Sequence, residues 1–131
     1  MPVMATIRDI VFDSAHPAST ARFWAAALDD YAIAPYDEEE LARLRANGIN
    51  DPEDDPSVLL LPGPAGGPRI FAQLVPEPKI AKNRVHLDLS ASDVDEEIRR
   101  LTELGARVVA VRERWTQMAD PDGNEFCVMA D

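Results

Sequence analysis

Four polar side chains in strand-like surroundings, Asp9, Gln73, His86 and Glu125, carry the chemistry this sequence offers. Alternate side chains of a strand point to opposite faces, so the sets can be separated by counting. Over residues 84–90, Val85, Leu87 and Leu89 form an apolar face expected to pack on helices, and His86, Asp88 and Ser90 point the other way. The same count over 125–129 sends Phe126 and Val128 to the helix side and Glu125, Cys127 and Met129 opposite; over 69–75, Phe71 and Gln73 share a face, with Ala72 and Leu74 opposite. A polar face on a central strand must find partners, so it is either wet or functional. An imidazole and carboxylates aimed into one concavity suit a divalent metal with open positions, or acid–base work near neutral pH. Trp115 adds a flat aromatic surface beside Gln117, and Trp115, Phe71, Asp88 and Gln117 together are read as a lining for a small-molecule ligand.

Each of these residues also has a plainer role. A lone strand histidine such as His86 is more often a hydrogen-bonded core residue than a ligand. Asp9 competes as the partner that orients a neighbouring side chain, and Asp88 as an acceptor behind a ligand. Cys127 reads as a small buried strand residue, His16 as the residue before a helix proline, and Phe23 and Trp24 as core.

The elements that would position these side chains occur twice. A strand at 7–13 leads into a helix starting at His16-Pro17, with proline at the first helical position, where its missing N–H costs nothing. A strand at 84–90 leads into a helix capped by Asp93, with Glu96 three residues on as in a capping box, an Ile98, Leu101 and Leu104 stripe, and Gly105 as the stop. Laying His16 over Asp93 puts Asp9 over His86 without a gap. Three strands follow each helix: 31–35, 57–62 and 69–75 in the first half, 107–111, 114–119 and 125–129 in the second. The expected fold is therefore α+β, two βαβββ modules forming a curved mixed sheet around a central pocket. It is read as one domain over 1–131, with module one at about 5–76 and module two at about 82–130. An acidic insertion at 37–56 interrupts the repeat. Asp37 can cap a short helix there, Leu41 and Leu44 share its face, and Asn47-Gly48 can end it. Its charge and loop prolines mark it as the expected mobile part, bordering the pocket mouth.

The net charge of −11 argues against a phosphate backbone as partner, since nucleic-acid binding relies on clustered Lys and Arg. No apolar run approaches the roughly 18 residues of a membrane span, and the opening residues lack a signal peptide's basic start and apolar stretch, so residence in the cytosol is expected. Cys127 is the only cysteine, which excludes an internal disulfide and a cysteine-based zinc knuckle.

Three stretches, Asp9-Ile10-Val11-Phe12-Asp13 running into Ala21-Arg22-Phe23-Trp24, Val75-Pro76-Glu77-Pro78-Lys79 with Lys82-Asn83-Arg84-Val85-His86-Leu87-Asp88, and Met118 to Phe126 through Asp120-Pro121-Asp122-Gly123-Asn124-Glu125, resemble the glyoxalase, bleomycin-resistance and extradiol-dioxygenase superfamily, the vicinal oxygen chelate group. The proline-lysine linker feeding Asn-Arg-Val-His-Leu-Asp resembles the compact bacterial glyoxalase-like domains. The resemblance implies metal ligands from the first and last strand of each module, slots that correspond to His86, Glu125, Asp9 and Gln73. Asp9 stands where histidine is usual and Gln73 where a glutamate is usual. It further implies a divalent ion (Mn, Fe, Ni or Zn), a lyase, isomerase or dioxygenase reaction on a small oxygenated substrate with Glu125 or Asp9 as base, and pairing as a homodimer. The alternative it implies is a metal-free, resistance-type pocket that binds a small molecule or antibiotic, with His86 and Glu125 only orienting it.

Overall fold

The computed structural model describes residues 3–131. The chain divides into two compact units, Met1–Val75 and Pro76–Asp131. Each is a four-stranded mixed sheet of βαβββ order, so the fold is α+β and built from two modules.

In the first unit β1 (Asp9–Ser14) is followed by α1 (Pro17–Ala27), β2 (Tyr31–Ile33), α2 (Glu38–Ala46), a single 3-10 turn at Pro52–Asp54, β3 (Ser57–Pro62) and β4 (Arg69–Leu74). The strand order is β1-β4-β3-β2, with β1 parallel to β4 and the other pairs antiparallel. Pro17 sits in the first turn of α1. Ser14 Oγ steadies this helix start, accepting from the His16 N–H at 2.9 Å and donating to Thr20 Oγ1 at 3.1 Å. Ala21, Phe23 and Trp24 of α1 are buried, and the Trp24 ring stacks on Phe12 of β1 at 4.8 Å between centroids. The even positions Ile10 and Phe12 of β1 thus lie on the helix side with buried Ile70 and Ala72 of β4, leaving Asp9, Arg69, Phe71 and Gln73 on the other face. Asp30 turns the chain into β2 at a left-handed φ of +70°, and Gly63 lies so close to its carboxylate that any Cβ there would overlap it.

The insertion is folded onto this unit. Asp37 accepts from the Glu40 N–H at 2.9 Å and caps α2, whose Leu44 is buried. Tyr36 Oη donates to the buried Asp55 at 2.7 Å. Glu53, in the 3-10 turn, accepts two bonds from Arg22 in the middle of α1 and one from His16 at its N-cap. The Asp37 cap is local, whereas the Tyr36–Asp55 bond and the bonds of Glu53 to Arg22 and His16 join residues 19, 31 and 37 apart, which the composition of the insertion does not reveal.

In the second unit β5 (Leu87–Ala91), α3 (Val94–Glu103), β6 (Arg107–Val111), β7 (Trp115–Ala119) and β8 (Glu125–Ala130) give the order β5-β8-β7-β6, again with the first and last strands parallel. Asp93 caps α3 by accepting from the Glu96 N–H at 3.1 Å, Leu101 is buried, and Gly105 ends the helix at φ +118°. The capping box does not close, because the Glu96 carboxylate is taken by Arg99 one turn on. Both first strands begin later than the apolar alternation suggests: Ile7 and Val85 precede β1 and β5 and are 81% and 79% exposed, so Val85 is not part of the helix-packed face.

Candidate functional site

The face of the second sheet turned away from α3 forms a cleft of about 410 Å³, lined by His86, Asp88, Trp115, Gln117, Glu125, Cys127 and Met129 together with Lys82 and Arg112. Its layout follows from the ladder. Asp88 of β5 and Gln117 of β7 both lie opposite Cys127 of β8, making one row across three strands; Trp115 lies opposite Met129 in the next row. His86, just before β5, lines the same cleft as Asp88. The strand counts made on β5, β7 and β8 therefore bring His86, Asp88, Trp115, Gln117 and Glu125 to one surface.

Glu125 is held from outside the sheet. Its Oε1 accepts from Lys79 Nζ and its Oε2 from the Asn83 N–H, both at 2.9 Å. Asn83 is fixed in turn by the loop between β7 and β8, its side chain donating to Asn124 Oδ1 at 2.8 Å. Buried Asp120 organises that loop, accepting from the N–H groups of Asp122 and Asn124 at 2.9 and 2.8 Å, while Gly123 takes φ +90°. The Asp-Pro-Asp-Gly-Asn-Glu and Pro-Lys…Asn-Arg segments are thus two halves of one clamp. Burial pushes the Glu125 carboxyl up, but the Lys79 ammonium and the Asn83 N–H outweigh it and hold it below its ordinary value. A carboxylate so engaged is a weakened base, with one acceptor position on each oxygen taken.

A second group of donors does converge. His86, Asp88 and Cys127 each present a ligand atom within 4.8 Å of the other two, with His86 Nε2 3.3 Å from Asp88 Oδ1. The Cys127 thiol is raised above its ordinary value by burial and by the Asp88 charge, against the lowering effect of the Lys82 ammonium. Lys79, Lys82, Asn83, Arg112 and Cys127 were not singled out from sequence for this face. For Cys127 the signal was present, since the strand count already put it beside Glu125.

In the first unit the expected ligands do not assemble. Asp9 lies opposite Arg69, which donates to both its carboxylate oxygens at 2.8 and 3.3 Å. Gln73 lies opposite Asp13, four residues beyond Arg69, or roughly 13 Å along the strand. The face was read correctly, but four residues is an even step, which preserves the face while moving the residue away. Arg69, first in β4 as Glu125 is first in β8, holds the corresponding slot. Phe71 lies under the Arg69 guanidinium, 5.3 Å from Cζ to the ring centre. Asp9 is thus the hydrogen-bonding partner of Arg69. Within their own units, Asp9 is paired with Arg69 and Gln73 lies well along the strand from it, while Glu125 is paired with Lys79.

Solved structures with this fold are many. A genomically encoded fosfomycin resistance protein from Listeria monocytogenes superposes with a TM-score of 0.65 at 14% identity, over 98% of this chain and 93% of that one. A possible glyoxalase from Bacillus cereus gives 0.65 at 14% identity, over 97% and 100%. The trypanothione-dependent glyoxalase I of Leishmania major gives 0.59 at 12% identity, over 97% and 87%. Such identities speak for the fold alone, that of the glyoxalase, bleomycin-resistance and dioxygenase superfamily. No match is found among curated proteins. A glyoxalase-like domain profile matches residues 9–129, and the chain belongs to that family.

Proposed function

We propose that the cleft of the second module captures a small anion with a flat apolar body, in the manner of a binding or resistance protein. The observation that carries this reading is the charge of the lining. In a chain of net charge −11, Lys82 and Arg112 line the cleft and form no ion pair among the described residues. Of the acidic groups there, Glu125 is offset by Lys79, which leaves Asp88 beside His86. Trp115, 43% exposed, supplies the apolar wall next to Met129. A volume of about 410 Å³ lies within the range of small-molecule sites, and a few polar anchors on an apolar wall are their usual composition. Proteins named for fosfomycin resistance and for glyoxalase I activity share this fold, so the fold does not choose between binding and catalysis and the site has to. We favour sequestration here, because the two carboxylates that would serve as base in a metal-assisted lyase, isomerase or dioxygenase step, Glu125 and Asp9, are each paired with a cation, which weakens them as bases.

Titration with benzoate, followed by calorimetry and by Trp115 emission, tests this. Trp115→Phe identifies the signal, since Trp24 is buried in the first module. Saturable binding is expected, weakened about tenfold by Lys82→Ala or Arg112→Ala if each supplies about 1.5 kcal/mol, and weakened further by salt. Equal binding of benzylamine, or unchanged affinity in both variants, overturns it.

A further inference from the structure

We infer that His86, Asp88 and Cys127 form a three-donor site for one borderline divalent ion, of the zinc, cobalt or nickel kind, at the polar end of this cleft. The donors are an imidazole nitrogen, a carboxylate oxygen and a sulfur, all within 4.8 Å of one another. Around a tetrahedral ion with bonds of roughly 2.0 to 2.3 Å, neighbouring donors stand roughly 3.3 to 3.8 Å apart. His86 Nε2 and Asp88 Oδ1 already meet that spacing at 3.3 Å, and the sulfur is within about 1 Å of it.

The ladder fixes the arrangement. Asp88 and Cys127 are direct cross-strand partners in the parallel β5–β8 pair, and His86, immediately before β5, lines the same cleft with its Nε2 at 3.3 Å from Asp88. Two donors on hydrogen-bonded strands and a third on the residue that leads into β5 need little reorganisation to close on an ion. The site differs from the one expected of the resemblance: the ion moves one row along the sheet, from Glu125 to Cys127, because Glu125 is committed to Lys79 and Asn83.

A sulfur ligand changes which ions are preferred, since thiolate favours zinc and cobalt over magnesium or calcium. On binding, the Cys127 S–H gives its proton to solvent as the sulfur–metal bond forms. Lys82 faces this sulfur and opposes a cation, but it is exposed on the segment before β5 and can withdraw into water. The fourth coordination position opens on the cleft, where a water or a ligand oxygen completes it. The inference shares its cleft with the proposed anion pocket, and the two are tested separately.

The test is cobalt titration of full-length protein freed of metal by chelator. A sulfur-to-cobalt charge-transfer band in the near ultraviolet is expected, saturating at one ion per chain. It should vanish in Cys127→Ser with at least a tenfold loss of affinity, weaken likewise in His86→Ala, and persist in Glu125→Gln. Circular dichroism confirms that each variant is folded, and Asp88→Asn serves if His86→Ala is not. Absence of the band in the wild-type protein, equal affinity in Cys127→Ser, or loss of the ion in Glu125→Gln overturns the assignment. Benzoate titration of metal-free Cys127→Ser protein keeps the two readings apart, because anion capture by Lys82 and Arg112 does not require the sulfur.

Discussion

Arg69 lies directly across the parallel ladder from Asp9 and takes both of its carboxylate oxygens, at 2.8 and 3.3 Å. The pair is only partly exposed, so it is worth more than a typical surface ion pair and less than a fully buried one. We expect Asp9→Asn to lower stability by about 1 kcal/mol, with Arg69→Met adding little on that background. Urea unfolding of the two single variants and the double variant measures the coupling. Fully additive losses would mean that the contact contributes nothing.

Glu53 fastens the acidic insertion to α1. Arg22, and after it His16, hold its carboxyl at about 2, down from 4.5. A carboxyl depressed in the folded state contributes stability above its unfolded value, and that contribution is lost as pH falls through the folded one. Wild-type protein should therefore exceed Glu53→Gln in urea midpoint at pH 7, with the gap shrinking between about pH 4.5 and 2. The group is exposed, so salt should shrink the gap too. A gap that is constant with pH would contradict the clamp.

Glu125 gives a sharper sign test, because two opposed influences act on it. Burial raises its carboxyl, and Lys79 with the Asn83 N–H more than reverses this. Removing the ammonium in Lys79→Met should therefore move the carboxyl upward, since burial then faces only backbone donors. The acid-side loss of stability should shift to higher pH with it. A carbon-detected NMR titration of the Glu125 side chain reads the change directly; no upward movement would show that Lys79 is not its principal partner.

The fold was legible because its signals are local and repeated. Pro17 at a helix start, Asp93 as a cap and the alternation around Phe126 each act within a few residues, and the second copy checks the first. Face assignment was also legible, since a two-residue period survives uncertain strand ends. Position along a strand was not: Gln73 kept its face yet missed the Asp9 slot by four residues, which only the cross-strand register could reveal. Engagement was the other blind spot. Nothing local tells that Lys79 and Asn83 would occupy Glu125, 46 and 42 residues away.

That engagement begins in the loop between β7 and β8. Asp120 is buried, and besides the N–H groups of Asp122 and Asn124 it accepts from Asn124 Nδ2 at 3.2 Å. Asn124 so oriented presents Oδ1 to Asn83, whose N–H reaches Glu125. Hydrogen bonds to a charged acceptor contribute about 1.5 to 3 kcal/mol, and donors left unsatisfied by truncation add their own desolvation cost. We expect Asp120→Ala to lose about 3 kcal/mol and Asp120→Asn less, because the amide oxygen can still accept. The effect should also travel. In folded Asp120→Asn protein, hydrogen exchange should quicken at the Asn124 and Asn83 amides, while Leu101 in α3 keeps its protection. Uniform acceleration across the unit would mean that Asp120 supports general stability and does not position Glu125.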